Sequence, residues 1–333
     1  MQRNTIGVLA TGSYVPAWEM TNAELAPRFD VTPEWIERKT MISARRYAAA
    51  DEAASDLALH AARNAIEQAG IGPDRLDYIV VATSTGDAPL PPVACLLQDA
   101  LRARRAAAFD INIACSGFVY ALAVARSLIA ERPGGHALVV ATDVWSRFTD
   151  PGDRGTSVLL ADGAGAAVIG PVGAGGIVET ELLTHGDQSD LLVVEAGGSR
   201  RPASHDTVDE VAHTLRMRGR AVTEFVTGQV PTTVKELLAR AGVGPEEVSH
   251  FIPHQANGVL LTGLADQLGL VNAQTHLTVE RYGNSGAASL PVTLDEAHRA
   301  GHLRSGDLVL LVGFGGGMSV GASLLAWNAE VSP

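Results

Sequence analysis

The chain has 333 residues, 46% of them hydrophobic and 19% charged, with a formal net charge of −12. That much apolar material offsets the entropy of ordering and excludes disorder as the main state. The acidic balance argues against nonspecific nucleic-acid binding, which needs a basic face. Two cysteines, Cys95 and Cys115, are too few for a disulfide framework or a four-cysteine metal site, so a reducing cytoplasm is the expected compartment. The segment Met1 to Pro16 carries only a short apolar run broken by Gly7 and Gly12 and does not read as a secretory signal. No stretch approaches the roughly 20 apolar residues of a membrane span.

Short apolar runs at Thr5–Ala10, Tyr78–Thr83, Ala107–Ile113 and Ala137–Thr142 have strand length. Between the first two, Leu57, Ala61, Ala62, Ala65, Ile66 and Ala69 share one helix face. Cys95 falls on a helical apolar pattern and is read as core. Phe118–Ala130 is apolar almost all round, which predicts a helix buried on every side. Strands alternating with helices imply an α/β fold with parallel or mixed sheets.

The chain also repeats itself. Residues 69–80 read AGIGPDRLDYIV and residues 241–252 read AGVGPEEVSHFI, 172 positions on. Cys115-Ser116-Gly117 pairs with Asn284-Ser285-Gly286 at an offset of 169, and Gly135–Val140 pairs with Gly306–Leu311 at 171. Three matches in order predict two copies of one α/β unit, residues 1–172 and 173–333, joined through the glycine-rich stretch 170–176. The alternative is one domain whose loops look alike. In a duplicated fold, Cys115 and Asn284 occupy equivalent turns and face one shared cleft.

Cys115 lies between a strand and a helix, where unpaired N–H groups and the helix dipole favour a thiolate. A buried structural cysteine is the competing reading. His254 closes the strand-like HFIPH. His250 lies four residues earlier, but Pro253 rules out a helix that would align the pair on a metal, and no metal site is expected. Asn284 suits an N-cap as well as a catalytic role. Pro291 is expected to kink or limit the helix that follows. Gly313-Phe314-Gly315-Gly316-Gly317 lets backbone N–H groups approach a ligand, or makes a tight turn or strand crossing. Gly317-Met318-Ser319-Val320-Gly321 matches the serine hydrolase elbow in letters, but too little chain follows for the helix that motif needs. The glycines near 163–165 and 313–317 miss the dinucleotide spacing, with Val168 and Met318 where a third glycine belongs.

Cys115, His254 and Asn284, with their flanks, resemble β-ketoacyl-acyl carrier protein synthase III of the thiolase superfamily. The likeness runs from Thr11–Pro16 with Thr21-Asn22, through Glu34-Trp35-Ile36, Ala114–Phe118, Asp153–Thr156 and Asp162–Ala166. It ends in Pro253–Asn257, Gly283-Asn284-Ser285 and Gly313–Gly317. The resemblance implies a thiolase-like five-layered αβαβα fold of two duplicated halves, usually a homodimer, with a Cys-His-Asn triad. It implies acyl loading from acyl-CoA onto Cys115, then decarboxylative condensation with a malonyl thioester, without metal or cofactor. Backbone N–H groups of Cys115 and Gly316 are the implied oxyanion hole. Trp35 and Arg154 are the implied stack around the CoA adenine, Gly219 and Asn257 lie along the pantetheine tunnel, and Leu90 closes the acyl pocket of the partner subunit.

Several positions depart from the family pattern. No Lys or Arg occurs from Gly258 to Glu280, Asp266 adds negative charge, and Glu224 stands where a basic residue is common, so the usual docking of an acidic carrier protein is not expected. Arg216, Arg218 and Arg220 form either another basic patch or a solvated face, with Arg220 a candidate for CoA phosphates. Thr40-Met41-Ile42-Ser43 replaces the usual Thr-Gly-Ile-Arg. Thr223 and Val226 differ in size from the usual tunnel residues and are assigned, with Leu90, to the acyl pocket. These departures point to a specialised enzyme of secondary metabolism. The rival is an acyltransferase that passes the Cys115-bound group to a small alcohol or amine without forming a carbon–carbon bond, with His254 as general base.

Overall fold

The computed structural model describes residues 5–328; the expectations for Met1–Asn4 and for residues 329–333 lie outside them. The apolar runs form a five-stranded sheet from Thr5–Tyr14 (β1), Tyr78–Ala82 (β2), Ala107–Ile111 (β3), Ala137–Val144 (β4) and Asp162–Val172 (β5). A second sheet contains Gly176–Thr184 (β6), His250–Pro253 (β7), Gln274–Thr275 (β8), Leu308–Gly315 (β9) and Ser319–Ala326 (β10). The first runs β1-β5-β4-β2-β3 and the second β6-β10-β9-β7-β8, the same order. In each, the outermost pair and the hairpin are antiparallel, and the remaining two pairings are parallel. β1 continues past Ala10 through Gly12, whose missing side chain lets it lie against a helix: a Cβ there would sit 2.4 Å from the Ala65 nitrogen.

Seven helices matter for the site: Pro33–Thr40 (α1), Ala54–Ala69 (α2), Val93–Ala100 (α3), Gly117–Ala130 (α4), Gly219–Ala241 (α5), Gly258–Gln267 (α6) and Ser289–Arg299 (α7). The two matched sequence segments do the same work. α2 ends on Gly70 and α5 on Gly242, both left-handed at φ 63° and 68°, a conformation only glycine adopts cheaply. Each leads through a short proline-started turn into β2 or β7.

Three apolar clusters stack the elements. α2 and α3 cover the outer face of the first sheet. α4 and α7 lie between the sheets, with Phe118, Leu122, Leu290 and Leu294 meeting Val139 and Leu311. α5 and α6 cover the second sheet through Val230, Leu237 and Leu261. The result is the five-layered αβαβα arrangement of the thiolase-like fold.

Three local expectations need correction. α4 is buried along one face only, with Ser127 and Ala130 reaching solvent. Cys95 is exposed: Val93, Ala94 and Leu97 set the buried phase of α3, and Cys95 falls outside it. Pro291 sits in the first turn of α7, where its missing N–H has no intrahelical partner to lose.

Candidate active site

Cys115 enters on a single turn between β3 and α4, immediately after Ala114 at φ 46°. A left-handed alanine costs about 1–2 kcal/mol and persists because the surroundings hold it. One such constraint is β9, which passes so close that a Cβ on Gly315 would lie 2.8 Å from the Cys115 Cβ and 3.0 Å from its nitrogen. Behind it, Ser116 Oγ and Ser319 Oγ are 2.9 Å apart, and Ser319 donates to the Gly316 carbonyl at 3.1 Å, tying the glycine turn to the cysteine turn. Ser319 is thus a buried strand residue rather than a hydrolase nucleophile.

His254 follows β7 and is buried. Its Nδ1 lies 2.7 Å from Ser289 Oγ, which accepts the Gln255 N–H at 3.0 Å. That contact leaves the other ring nitrogen for the cavity. Burial pulls the imidazole down to about 3, with the Gly286 backbone opposing, so the ring is neutral at working pH. Asn284 is held by Leu159–Ala161 of the first half: its N–H donates to Leu159 O at 2.9 Å and its carbonyl accepts from Ala161 at 2.8 Å. Its Oδ1 accepts the Gly286 N–H at 3.0 Å, a cap-like bond that leaves the amide nitrogen to act as donor.

Cys115, His254 and Asn284 line one cavity of about 390 Å³, with Trp145, Leu160, Leu192, Leu215 and Phe314 around them. The outer end reaches exposed Val259, Gly219 and Thr223. The helix-terminus argument alone predicts a lowered thiol. Burial raises it instead, with Asp143 adding to the effect and the backbone hydrogen bond opposing. The resting pair is therefore a neutral thiol beside a neutral imidazole.

Known proteins resemble this chain along nearly its whole length. Residues 109–186 match the model of 3-oxoacyl-[acyl-carrier-protein] synthase III, and residues 238–327 match the model of its C-terminal part. The chain is 49% identical to acetoacetyl CoA synthase NphT7 of Streptomyces sp. strain CL190, covering 96% of this chain and 98% of the relative. The β-ketoacyl-[acyl-carrier-protein] synthase III of Clostridioides difficile strain 630 is 42% identical over 97% of this chain and 98% of its own. This chain belongs to the β-ketoacyl-acyl carrier protein synthase III family. Among solved structures, the priming β-ketosynthase of the R1128 polyketide pathway superposes with a TM-score of 0.91 at 34% identity, covering 98% of each chain. Synthase III of Aquifex aeolicus gives 0.88 at 36%, covering 97% of this chain and all of the other. Enzymes of this kind are acyl-transferring transferases.

Within this synthase III chain, the remaining candidates fall into place unevenly. The Arg154 guanidinium lies 5.2 Å over the Trp35 ring, a cation–π contact, and neither residue lines the cavity. Gly219 and Asn257 line the cavity, and Asn257 also caps α6 and donates to the Lys39 carbonyl at 3.1 Å. Gly316 packs near Ala114 and Leu192, while Gly315 forms the cavity wall. Arg220 points to solvent, its side chain 94% exposed and paired with Glu224 at 3.0 Å. Arg216 and Arg218 are likewise paired, with Asp150 and Asp190, so the trio is no free basic patch.

The acyl-pocket assignment is not brought together within one chain. Leu90 is 79% exposed on the loop before α3 and does not line the cavity. Thr223 sits at the outer end, near the exposed start of α5, and Val226, nearly one turn further along the same side of that helix, is buried in the core. The inner wall is Trp145, Leu160 and Leu215 instead. Trp145, Ser289 and Lys39 are the residues that sequence reasoning missed. Only Ser289 had a signal, lying in the same NSGAAS run as Asn284. His250 points away from the site: its Nδ1 lies 3.0 Å from His276 and its Nε2 3.1 Å from Asp307. Among the described residues no helix is long and apolar enough to cross a membrane.

Proposed function

We propose that this enzyme takes a short acyl group from acyl-CoA onto Cys115 and condenses it with malonyl-CoA, releasing a β-ketoacyl-CoA. The observation that carries the reading is the convergence of Cys115 with His254 and Asn284, more than 130 positions away in the chain, on one largely apolar cavity. In loading, His254 takes the thiol proton as sulfur attacks the thioester, and CoA leaves as its thiol with that proton. Backbone N–H groups of Cys115 and Gly316 stabilise the tetrahedral oxyanion. Malonyl-CoA then binds with its thioester oxygen facing His254 and Asn284. Asn284 donates a hydrogen bond, and His254 donates a second once its neutral ring carries the proton on the cavity-facing nitrogen, with Ser289 Oγ donating to Nδ1, as carbon dioxide departs and the electron pair of the broken bond enters the enolate. The enolate carbon attacks the acyl group, Cys115 leaves as thiolate and takes from solvent the one proton that the overall reaction consumes, and the product thioester is free. No cofactor takes part.

CoA rather than a carrier protein as the acceptor's handle is supported at the rim. Val259 is 48% exposed where the cavity opens, and residues 258–280 offer no cation to an acidic carrier. The Streptomyces relative is named for a CoA product, and the R1128 neighbour for a polyketide pathway, which favours a role in specialised metabolism. We place the enzyme in the cytoplasm as a homodimer. β3 is an edge strand with one pairing partner, next to the helix and loop bearing exposed Cys95 and Leu90, and a second copy there would bring Leu90 to the partner's acyl end.

With acetyl-CoA and malonyl-CoA, purified enzyme is expected to release carbon dioxide and form acetoacetyl-CoA, read by mass spectrometry. Malonyl carrier protein is expected to serve more weakly. Transfer of the acyl group to an added alcohol or amine, with no carbon dioxide released, overturns the condensation reading in favour of simple acyl transfer.

A further inference from the structure

Asp143, near the end of β4, is a fully buried carboxylate that the mechanism above does not use. Its surroundings come from both halves of the chain. Oδ1 accepts the Ser84 N–H at 2.9 Å and faces the hydroxyls of Thr85 at 3.0 Å and Thr83 at 3.3 Å. Thr85 Oγ1 itself accepts the Val144 N–H at 2.7 Å, which turns its proton toward the carboxylate. Oδ2 accepts the Ala287 N–H at 2.8 Å. The adjoining residue, Gly286, stands at φ 60°, and a Cβ there would lie 2.3 Å from Asp143 Oδ2 and 2.2 Å from the Trp145 indole nitrogen. The Gly286 N–H is the group that fixes the Asn284 amide.

Two consecutive N–H groups of one turn are thus gripped from two sides, Gly286 by Asn284 and Ala287 by Asp143. We propose that Asp143 is a positioning residue, clamping the 286–287 turn of the second half to the Ser84–Thr85 loop of the first and so holding the Asn284 amide toward Cys115. The inference rests on the condensation reading for its kinetic consequence, though not for its geometry. Burial pushes Asp143 up to about 6, while the backbone groups of Ser84 and Ala287 and the side chains of Thr85 and Trp145 hold it down. Above that pH it is an anion acting on Cys115.

Asp143→Asn tests the clamp, because an amide accepts at only one of its two polar atoms and must turn its NH₂ toward the other N–H. Three readouts are taken on wild type and variant: amide hydrogen exchange at residues 286–287, alkylation of Cys115 by iodoacetamide against pH, and carbon dioxide release from malonyl-CoA on acyl-loaded enzyme. Exchange is expected to rise about tenfold, in keeping with loss of a charge-assisted bond. Alkylation at neutral pH is expected to rise, its midpoint moving down, because removing the anion favours the thiolate. Carbon dioxide release is expected to fall about tenfold or more. A merely structural defect speeds alkylation of the buried thiol at every pH without moving its midpoint. Unchanged exchange with unchanged decarboxylation overturns the clamp. If wild type releases no carbon dioxide, the condensation reading fails, and exchange and alkylation still decide the clamp: a rise in exchange with a lowered alkylation midpoint supports it and no change in exchange overturns it.

Discussion

Replacing Asn284 by Ala is expected to slow malonyl decarboxylation by about 10²–10³-fold while leaving acyl loading of Cys115 nearly intact, the usual cost of deleting one preorganised donor from an oxyanion site. The split follows from which oxygen each donor serves. In the proposed reaction, loading develops charge on the acyl oxygen, assigned to backbone N–H groups of the Cys115 turn and the glycine turn. In the same proposal, decarboxylation develops it on the malonyl thioester oxygen, assigned to His254 and to the Asn284 amide that the Gly286 N–H leaves free. The asparagine backbone is pinned on both sides to Leu159 and Ala161, so the main chain at 284 stays in place while the substitution removes both the amide donor and the acceptor of the Gly286 N–H. Intact-mass measurement of the acyl-enzyme and carbon dioxide release separate the steps. Equal losses in both assign Asn284 to loading as well and break the division of labour.

The parts of this architecture that were legible in the sequence are those written in local chemistry. AGIGPD and AGVGPE encode a left-handed helix cap followed by a proline turn, and Gly70 and Gly242 adopt that conformation. Cys115, His254 and Asn284 sit in turns whose flanking glycines and prolines mark them. What stayed hidden depends on contacts across the chain. Asp143 reads as the polar residue in an apolar run, and only the fold brings Ala287, 144 positions away, to its carboxylate. The raised Cys115 thiol was also out of reach, since the helix terminus is a local feature and desolvation is not. Cys95 could have been placed correctly: the phase of Val93, Ala94 and Leu97 already turns it outward. Thr223 and Val226, three residues apart on one helix, differ in burial: Thr223 lines the cavity at its rim, and Val226 lies in the core.

Trp145 sets the last expectation. Its ring lies edge-on to Phe148 at 6.1 Å, packs with Leu160 and Leu215, and forms the inner wall of the cavity beside Cys115. On the proposed reading, a rigid aromatic at that point limits the length of the acyl group that loads. Trp145→Leu is expected to admit hexanoyl-CoA while still loading acetyl-CoA. Each buried methylene is worth about 0.8 kcal/mol, so four more contribute up to roughly 3 kcal/mol, about a hundredfold in the hexanoyl-to-acetyl loading ratio. Part of that gain is lost to collapse of the wall around the smaller side chain. Leucine is chosen over alanine because full truncation of a buried tryptophan costs about 3–5 kcal/mol of stability. Intact-mass competition between the two thioesters reads the ratio directly. A variant that keeps the wild-type preference, with acetyl loading undiminished, means the acyl group lies elsewhere than against this ring, and the limit on chain length must then come from the side that Leu90 of a second copy would close.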